Sequence, residues 1–515
     1  MDNLRTLWND KPLKIIILAA VFVRILAVIF SKGYGMHDDH FLVIETAQSW
    51  LDGADYNNWF KEREYQDSPT ILNFIYAGVH YLIFALLEWL GIFSPQVKMF
   101  VVRLIHAFIS LPVIIFGFRI ADLTGGREAA KKAGLLLALL WFMPFFSVRN
   151  LVEVVCLPFL MGAFWLLVRN EYENKGKYVF LLAGILLGIA FSIRFQTLIL
   201  AGGAGLVLLY RKKIVETLLV GTGIIIPFLL FHGLPDLLIW GYPFAEIKTY
   251  FLHNIEHQYD YSVSPWYTYI LVIIGIIIVP VGFFIMVGYF YNWKRTLLLF
   301  VPVFLFLVFH SYFPNKQERF IIPIIPLLIT AGIAGWERLV ANSNFWHRNR
   351  QLLKASWILF WTLNLILLFF FTTMYSKKAR VESAAYLAKF KDVELVLAED
   401  SNRDHASMIP LFYSRQWPEV VQVTKKYPVD QLPRTEAGDE YKTPDFVFFY
   451  GNKNLHKRIL RIEEIFPEIT HEATIEPSLV DKIIHWLNPI NANQMIYIYR
   501  NSEKYPSKNP EHGQS

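Results

Sequence analysis

From Leu13 to Met374 the chain alternates apolar runs long enough to cross a bilayer, which takes about 20 helical residues, with short polar segments. The first run, Leu13 to Phe30, follows Arg5, Lys11 and Lys14 as a signal peptide would. No small-residue cleavage site comes after it, so it reads as a retained span. Positive charge is spread unequally over the polar segments, and that inequality orients the rest. With a cytoplasmic amino terminus, the basic loops Arg119 to Lys132, Arg169 to Lys177, Arg211 to Lys213, Asn292 to Arg295 and Glu337 to Lys354 all fall inside. Counting Ile71 to Ile92 as a full crossing would put Arg119, Arg127, Lys131 and Lys132 outside. Its Asn73, His80 and Glu88, and the Pro69 and Pro95 around it, suit a helix lying in or dipping into the interface. The pattern then predicts about eleven spans, with loops 32–96, 145–153, 232–266 and 312–320 on the outer, periplasmic or lumenal, side.

Past Met374 the period shortens. Val393 to Ala398, Phe446 to Tyr450 and Met495 to Tyr499 read as short buried strands, separated by helical stretches such as Lys453 to Ile465. The expected fold is therefore an α-helical polytopic membrane domain over 1–375, with interfacial helices beside its spans. A C-terminal soluble α/β domain follows over 376–505, on the outer side, and 506–515 reads as a disordered tail.

Composition agrees with this pattern and narrows it. The chain of 515 residues is 55% hydrophobic and 18% charged, which excludes an ordinary soluble protein. Its net charge of +6 lies mostly in the short loops, so topology accounts for it and no nucleic-acid partner is implied. The single cysteine, Cys156, sits in an apolar run and excludes an intramolecular disulfide. No Asn-X-Ser/Thr sequon occurs anywhere, which for a protein with this much outer surface favours a bacterial inner membrane over the endoplasmic reticulum.

Candidate chemistry gathers in the outer loops. Gly33-Tyr34-Gly35-Met36-His37-Asp38-Asp39-His40-Phe41 sets two adjacent carboxylates between two histidines at the end of the first span. Ionisable groups at such a place are functional candidates. One carboxylate can take a proton from an attacking hydroxyl, and Asp38 and Asp39 are the catalytic candidates. His37 and His40 read as hydrogen-bonding partners of the carboxylates; a divalent metal is possible there but not indicated, and no cofactor is required. In Tyr312 to Phe320, Lys316 and Arg319 stand three residues apart, on one face if the segment is helical, with Glu318 between them. Such a pair suits a lipid phosphate, or equally cations snorkelling at the interface. Arg194 and Arg149, the latter able to pair with Glu153 across one helical turn, reach the same side. The loop that carries Asp236, His253, His257, Trp266 and Tyr267 suits either interfacial anchoring or stacking on sugar rings.

Together these segments resemble glycosyltransferase family 22 of the GT-C superfamily, the lipid-phosphate-mannose-dependent mannosyltransferases of N-glycan precursor and GPI-anchor assembly. The family's His-Pro-Asp-Glu motif, followed after one residue by Phe, is matched by His37-Asp38-Asp39-His40-Phe41, so that Asp38 takes the Asp position and Asp39 the Glu position, without the His-Pro pair. Its His-Lys-Glu-Glu-Arg-Phe motif is matched by Asn315-Lys316-Gln317-Glu318-Arg319-Phe320. Between them, Asp236, Trp240-Gly241, Asn254, Pro265-Trp266 and Tyr267 or Tyr269 follow the family's order. The resemblance implies a GT-C architecture and an inverting transfer of a hexose, mannose first, from a polyprenyl or dolichyl phosphate donor to a lipid-linked glycan acceptor. Other GT-C transfers, of an aminosugar to lipid A or of mannose to protein, follow the same logic. A transporter or flippase for lipid-linked sugars is the alternative from another class, but neither paired repeats nor broken midplane helices are present.

Overall fold

The computed structural model describes residues 2–56, 74–260, 263–434 and 441–506. The outer segment 57–73 and the tail beyond Pro506 lie outside the described residues. The chain divides into two compact units, one of Met1–Ser31, Asn57–Ile83 and Met99–Thr373, the other of Lys32–Tyr56, Phe84–Lys98 and Met374–Ser515.

The first unit is helical. Among the described residues, six helical stretches are long and apolar enough to cross a membrane: Pro12–Phe30, Pro95–Leu139, Val152–Glu173, Ile214–Trp240, Glu318–Asn342 and Arg350–Thr373. Shorter apolar helices accompany them at Phe74–Trp89, Tyr178–Ile193, Phe195–Tyr210, Val281–Tyr291 and Leu297–Tyr312. The longest stretch is two helices rather than one. Gly126 leaves the helical region at φ 81° and ψ −179°, a conformation reserved for glycine. Beyond it the chain folds back, because Gly134 packs against the Phe118 ring and Gly117 against Leu137. Residues 16 or 20 apart in a straight helix would be roughly 24–30 Å distant. The turn falls inside the basic loop Arg119 to Lys132.

Glycines also set the closest helix approaches. Gly184 and Gly188 leave no room for a Cβ against the backbones of Val220 and Ile224, and Gly288 and Gly335 meet backbone to backbone. Small residues at such crossings let helices pack by dispersion where lipid offers no hydrophobic drive. The order of these contacts makes Tyr178–Ile193 parallel to Ile214–Phe228, and Val281–Tyr291 parallel to Ile325–Asn342. Each pair is separated by one intervening helix, as up-down threading requires.

The second unit is a mixed five-stranded sheet with helices. Its strands are β1 (Leu395–Asp400), β2 (Glu419–Thr424), β3 (Phe446–Tyr450), β4 (Ile469–Ile475) and β5 (Ile496–Asn501), in the order β2-β1-β3-β5-β4. β1 runs parallel to both β2 and β3, while β5 is antiparallel to β3 and β4. The central strands β1 and β3 are buried along their whole length, as unbroken apolar runs should be. β2 and β4 lie at the edges and mix Glu, Gln, Thr and His with their apolar residues, which kept them out of the sequence expectation.

Candidate active site

The acidic stretch belongs to the second unit and is pinned from both sides in sequence. Gly33, at φ 74°, pairs with Ser376 so closely that any side chain would strike the Ser376 carbonyl. Lys377 Nζ donates to the Gly35 carbonyl at 2.9 Å and lies 4.2 Å over the Tyr34 ring. His37–Asp39 forms one short helical turn that passes directly into a π-helix, His40–Glu45. That wider turn brings residues five apart onto one face, so His40 Nε2 faces Glu45 Oε1 at 3.5 Å.

His40 is fully buried, its ring stacked on Tyr34 at 4.6 Å and on Tyr413 at 5.4 Å, with Phe41 and Phe412 edge-on. Burial pushes its imidazole down to about 3 and holds the Glu45 carboxyl well above the usual carboxylate range. Both shifts favour the uncharged forms, and His40 braces the turn rather than serving the carboxylates as the sequence suggested. His37 is exposed and lies 4.5 Å from the Phe41 ring. Asp39 is buried, while Asp38 keeps part of its surface in solvent.

The cations form a second cluster, in the first unit. Glu153, fully buried in the helical turn Val152–Val155, lies 3.1 Å from Arg194 Nη2 and 3.8 Å from Arg319 Nε. Both guanidinium groups also sit over the Phe320 ring, at 5.2 and 5.6 Å. Arg319 Nε donates to Gln317 Oε1 at 2.8 Å, and Gln196 is hydrogen-bonded to the Tyr250 hydroxyl nearby. Two guanidinium groups and one buried carboxylate thus meet over one aromatic ring in a partly dry setting, and guanidinium forks of this kind suit carboxylate or phosphate oxygens.

Lys316 and Arg319 do not share a helical face. Pro314 and the bridge from Asn315 to Val263 hold the segment extended, and the 3-10 turn starts only at Glu318. Lys316 is buried and donates to the Phe313 carbonyl at 2.6 Å, burial lowering its ammonium below the usual lysine range. Glu318 is exposed. Arg149 does not pair with Glu153 across a helical turn, because residues 149–151 are not helical. Its Nη1 and Nη2 donate to the Ser31 carbonyl and Oγ at 2.7 and 3.1 Å, and its guanidinium covers the Phe145 ring.

The later loop divides into buried and exposed parts. Asp236 is fully buried, and its Oδ2 accepts from the backbone N–H of Glu246 at 3.1 Å, capping the helix Ala245–Glu256. Such a carboxylate serves structure. Glu246 lies 3.7 Å from His232 and accepts from the Phe74 N–H at 3.3 Å. Burial raises the Glu246 carboxyl to about 8. A folded-state value above the unfolded one makes the native state bind the extra proton, so this contribution to stability is whole below about pH 4.5 and is lost as pH rises towards 8. Thermal unfolding of the detergent-solubilised protein should show the midpoint falling over that range, by at most about 1.4 kcal/mol per pH unit. Glu246→Gln should flatten the slope, and an unchanged slope would remove Glu246 as its source.

His253, on the same helix, stacks at 4.2 Å on His257, the residue just past its end, and Trp266 and Tyr267 are exposed, 66% and 46%. Among the described residues, no group of three or more His, Cys, Asp or Glu side chains is placed to hold a metal ion. Glu153, Gln196, Tyr250 and Phe320 join the cation cluster without having been singled out as site residues, and Tyr34, Glu45 and Lys377 support the acidic turn. Glu153 and Glu45 carried a legible signal, each a lone carboxylate within an apolar run.

A family model for Alg9-like mannosyltransferases matches residues 15–407. GPI mannosyltransferase 4 of Saccharomyces cerevisiae is 28% identical over 116 residues, which cover 22% of this chain and 20% of that protein. The match thus spans about a fifth of the curated relative's length. Among solved structures, ArnT from Cupriavidus metallidurans bound to undecaprenyl phosphate superposes with a TM-score of 0.58 at 13% identity, covering 94% of this chain and 97% of that one. Its apo state gives 0.56 with the same identity and coverage. At that identity the likeness is one of fold, the GT-C arrangement of membrane helices followed by a small mixed α/β sheet. With the family model covering most of its length, the chain belongs to the Alg9-like mannosyltransferase family, and so to the multi-pass membrane glycosyltransferases.

Proposed function

We propose that this protein moves a hexose, mannose first among the candidates, from a polyprenyl or dolichyl phosphate to a lipid-linked glycan on the outer or lumenal face of the membrane. Asp38 is the base that takes the proton of the acceptor hydroxyl as it attacks the anomeric carbon, with inversion. Arg194 and Arg319, with Lys316, take up the charge on the departing lipid phosphate. A phosphate leaving group needs no proton, so one carboxylate suffices where glycosidases use two. Asp39 orients the acceptor or its neighbours.

The observation that carries this reading is the convergence of Arg194 and Arg319 on Glu153 and Phe320, because guanidinium forks gathered at one part-buried place suit the oxygens of a phosphate. ArnT was solved with undecaprenyl phosphate bound, which supports a lipid phosphate as the donor's carrier here. The distribution of basic loops in the sequence supports the outer face. The test is incubation of the purified protein with defined polyprenyl-phosphate sugars and lipid-linked glycans, followed by mass analysis of the lipid products. A product heavier by one hexose from the mannosyl donor is expected. Passage of lipid-linked sugar across liposomes with no new glycosidic bond would replace the transferase by a transporter.

A further inference from the structure

A separate cavity of about 270 Å³ lies within the second unit, and none of its lining comes from the acidic stretch. Gln48, Asp52, Glu88, Lys98, Arg415 and Trp417 supply its polar and aromatic walls. These side chains are fixed by one another. Lys98, 2% exposed, donates to Gln48 Oε1 at 2.7 Å and to Glu88. Gln48 Nε2 in turn donates to Asp52 Oδ1 at 2.9 Å and to Glu88 Oε1 at 3.0 Å. The other Asp52 oxygen accepts from Trp417 Nε1 at 2.9 Å, and the Tyr56 ring lies 5.1 Å from the indole, so Trp417 is held by its edge and by one neighbour.

The chemistry of the walls selects the ligand. Two carboxylates and two cations cancel, so a phosphate or carboxylate would meet as much repulsion as attraction. An acyl chain would strand the polar lining without partners. An uncharged polyol fits both demands, offering hydroxyls as donors and acceptors to the fixed groups and an apolar C–H face to the indole. The volume sits just under the usual range of small-ligand pockets, about 300–1,000 Å³, which suits one sugar ring. Phe412 also lines this cavity, its N–H donates to Glu45 Oε1 at 3.2 Å, and its ring stands 6.1 Å from His40. The cavity therefore shares a wall with the aromatic cage that braces the Asp38 turn.

We propose that this cavity is a saccharide subsite holding an uncharged sugar ring of the glycan acceptor. Its assignment to the acceptor rests on the glycosyltransferase reading; the binding of a saccharide does not. The test is saturation-transfer NMR on the full chain in detergent, with lipid-free mannobiose and N-acetylchitobiose as probes. Transfer to the sugar protons is expected for at least one probe and should fall at least fivefold in Trp417→Ala. Phe93→Ala should act in the same direction; Phe93 lines the cavity but is 51% exposed, so its loss spares the fold. Asp38→Asn should bind like the unaltered protein, and in turnover Trp417→Ala should raise the acceptor KM about tenfold while the donor KM stays in place. Absence of transfer to either probe, a signal that survives both variants, or displacement of the sugar by inorganic phosphate would overturn the subsite. Binding by a protein that shows no turnover with any lipid donor would count against the acceptor assignment and leave saccharide binding standing.

Discussion

Asp38→Asn is expected to lower kcat by about 10²–10⁴-fold, the span that a positioned general base contributes, while the protein still expresses, folds and binds its lipid donor. The geometry separates Asp38 from its neighbour. Asp39 is buried, whereas Asp38, one residue earlier on the same short turn, keeps part of its surface in solvent. A base must both reach an acceptor and exchange its proton, and only a carboxylate with access does both. The turn itself is held by groups that Asn leaves untouched: the Gly33–Ser376 bridge, the Lys377 contact with Gly35, and the His40–Glu45 pair in its aromatic cage. Loss of rate with an unchanged thermal midpoint would thus report chemistry and not collapse. Turnover of Asp38→Asn at the normal rate would remove Asp38 from the mechanism, and an inactive Asp39→Asn beside an active Asp38→Asn would exchange their roles.

How much of this could be seen in the sequence depends on the range of the interaction concerned. Hydropathy and the basic loops are local signals, and they located the membrane helices and the reversal at Gly126. Alternation and apolar runs likewise located β1, β3 and β5, but not the edge strands β2 and β4, whose polar residues break up the apolar runs. Within the candidate site, spacing failed wherever the backbone departed from an α-helix. Lys316 and Arg319 would share a face only if residues 315–318 were helical, and Pro314 with the Asn315–Val263 bridge prevents that. His40 finds Glu45 because a π-helix sets residues five apart on one face, a geometry that no apolar periodicity announces. Asp236 looked like a loop carboxylate and is a buried helix cap. By spacing, Glu153 was visible only as a helical-turn partner for Arg149, and its actual partners Arg194 and Arg319 come from distant parts of the chain.

That last cluster bears the second large expectation. Arg319→Ala should lower kcat/KM for the lipid-phosphate sugar by about 10²–10³-fold, the scale measured when one preorganised donor to a developing anion is removed. Arg319→Lys should recover only a small part, because a lysine supplies the charge without the planar fork that spans two phosphate oxygens. Arg194→Ala should behave alike, and the double variant should cost less than the two single losses combined, since both guanidinium groups contact the same Glu153 carboxylate and the same Phe320 ring. The readout that separates this from damage to the fold is inhibition by free polyprenyl phosphate, the product that carries the charge but no sugar. Its inhibition constant should rise in step with the loss of kcat/KM in both arginine variants and stay unchanged in Asp38→Asn. Glu153→Gln marks the other limit. It neutralises the fully buried carboxylate that both part-buried guanidinium groups contact, and breaking a buried ion pair costs up to about 3–5 kcal/mol, so its first effect should be on thermal stability. If Arg319→Ala loses stability and keeps its sensitivity to polyprenyl phosphate, the cluster is a structural ion pair, and the site of the lipid phosphate must be sought elsewhere.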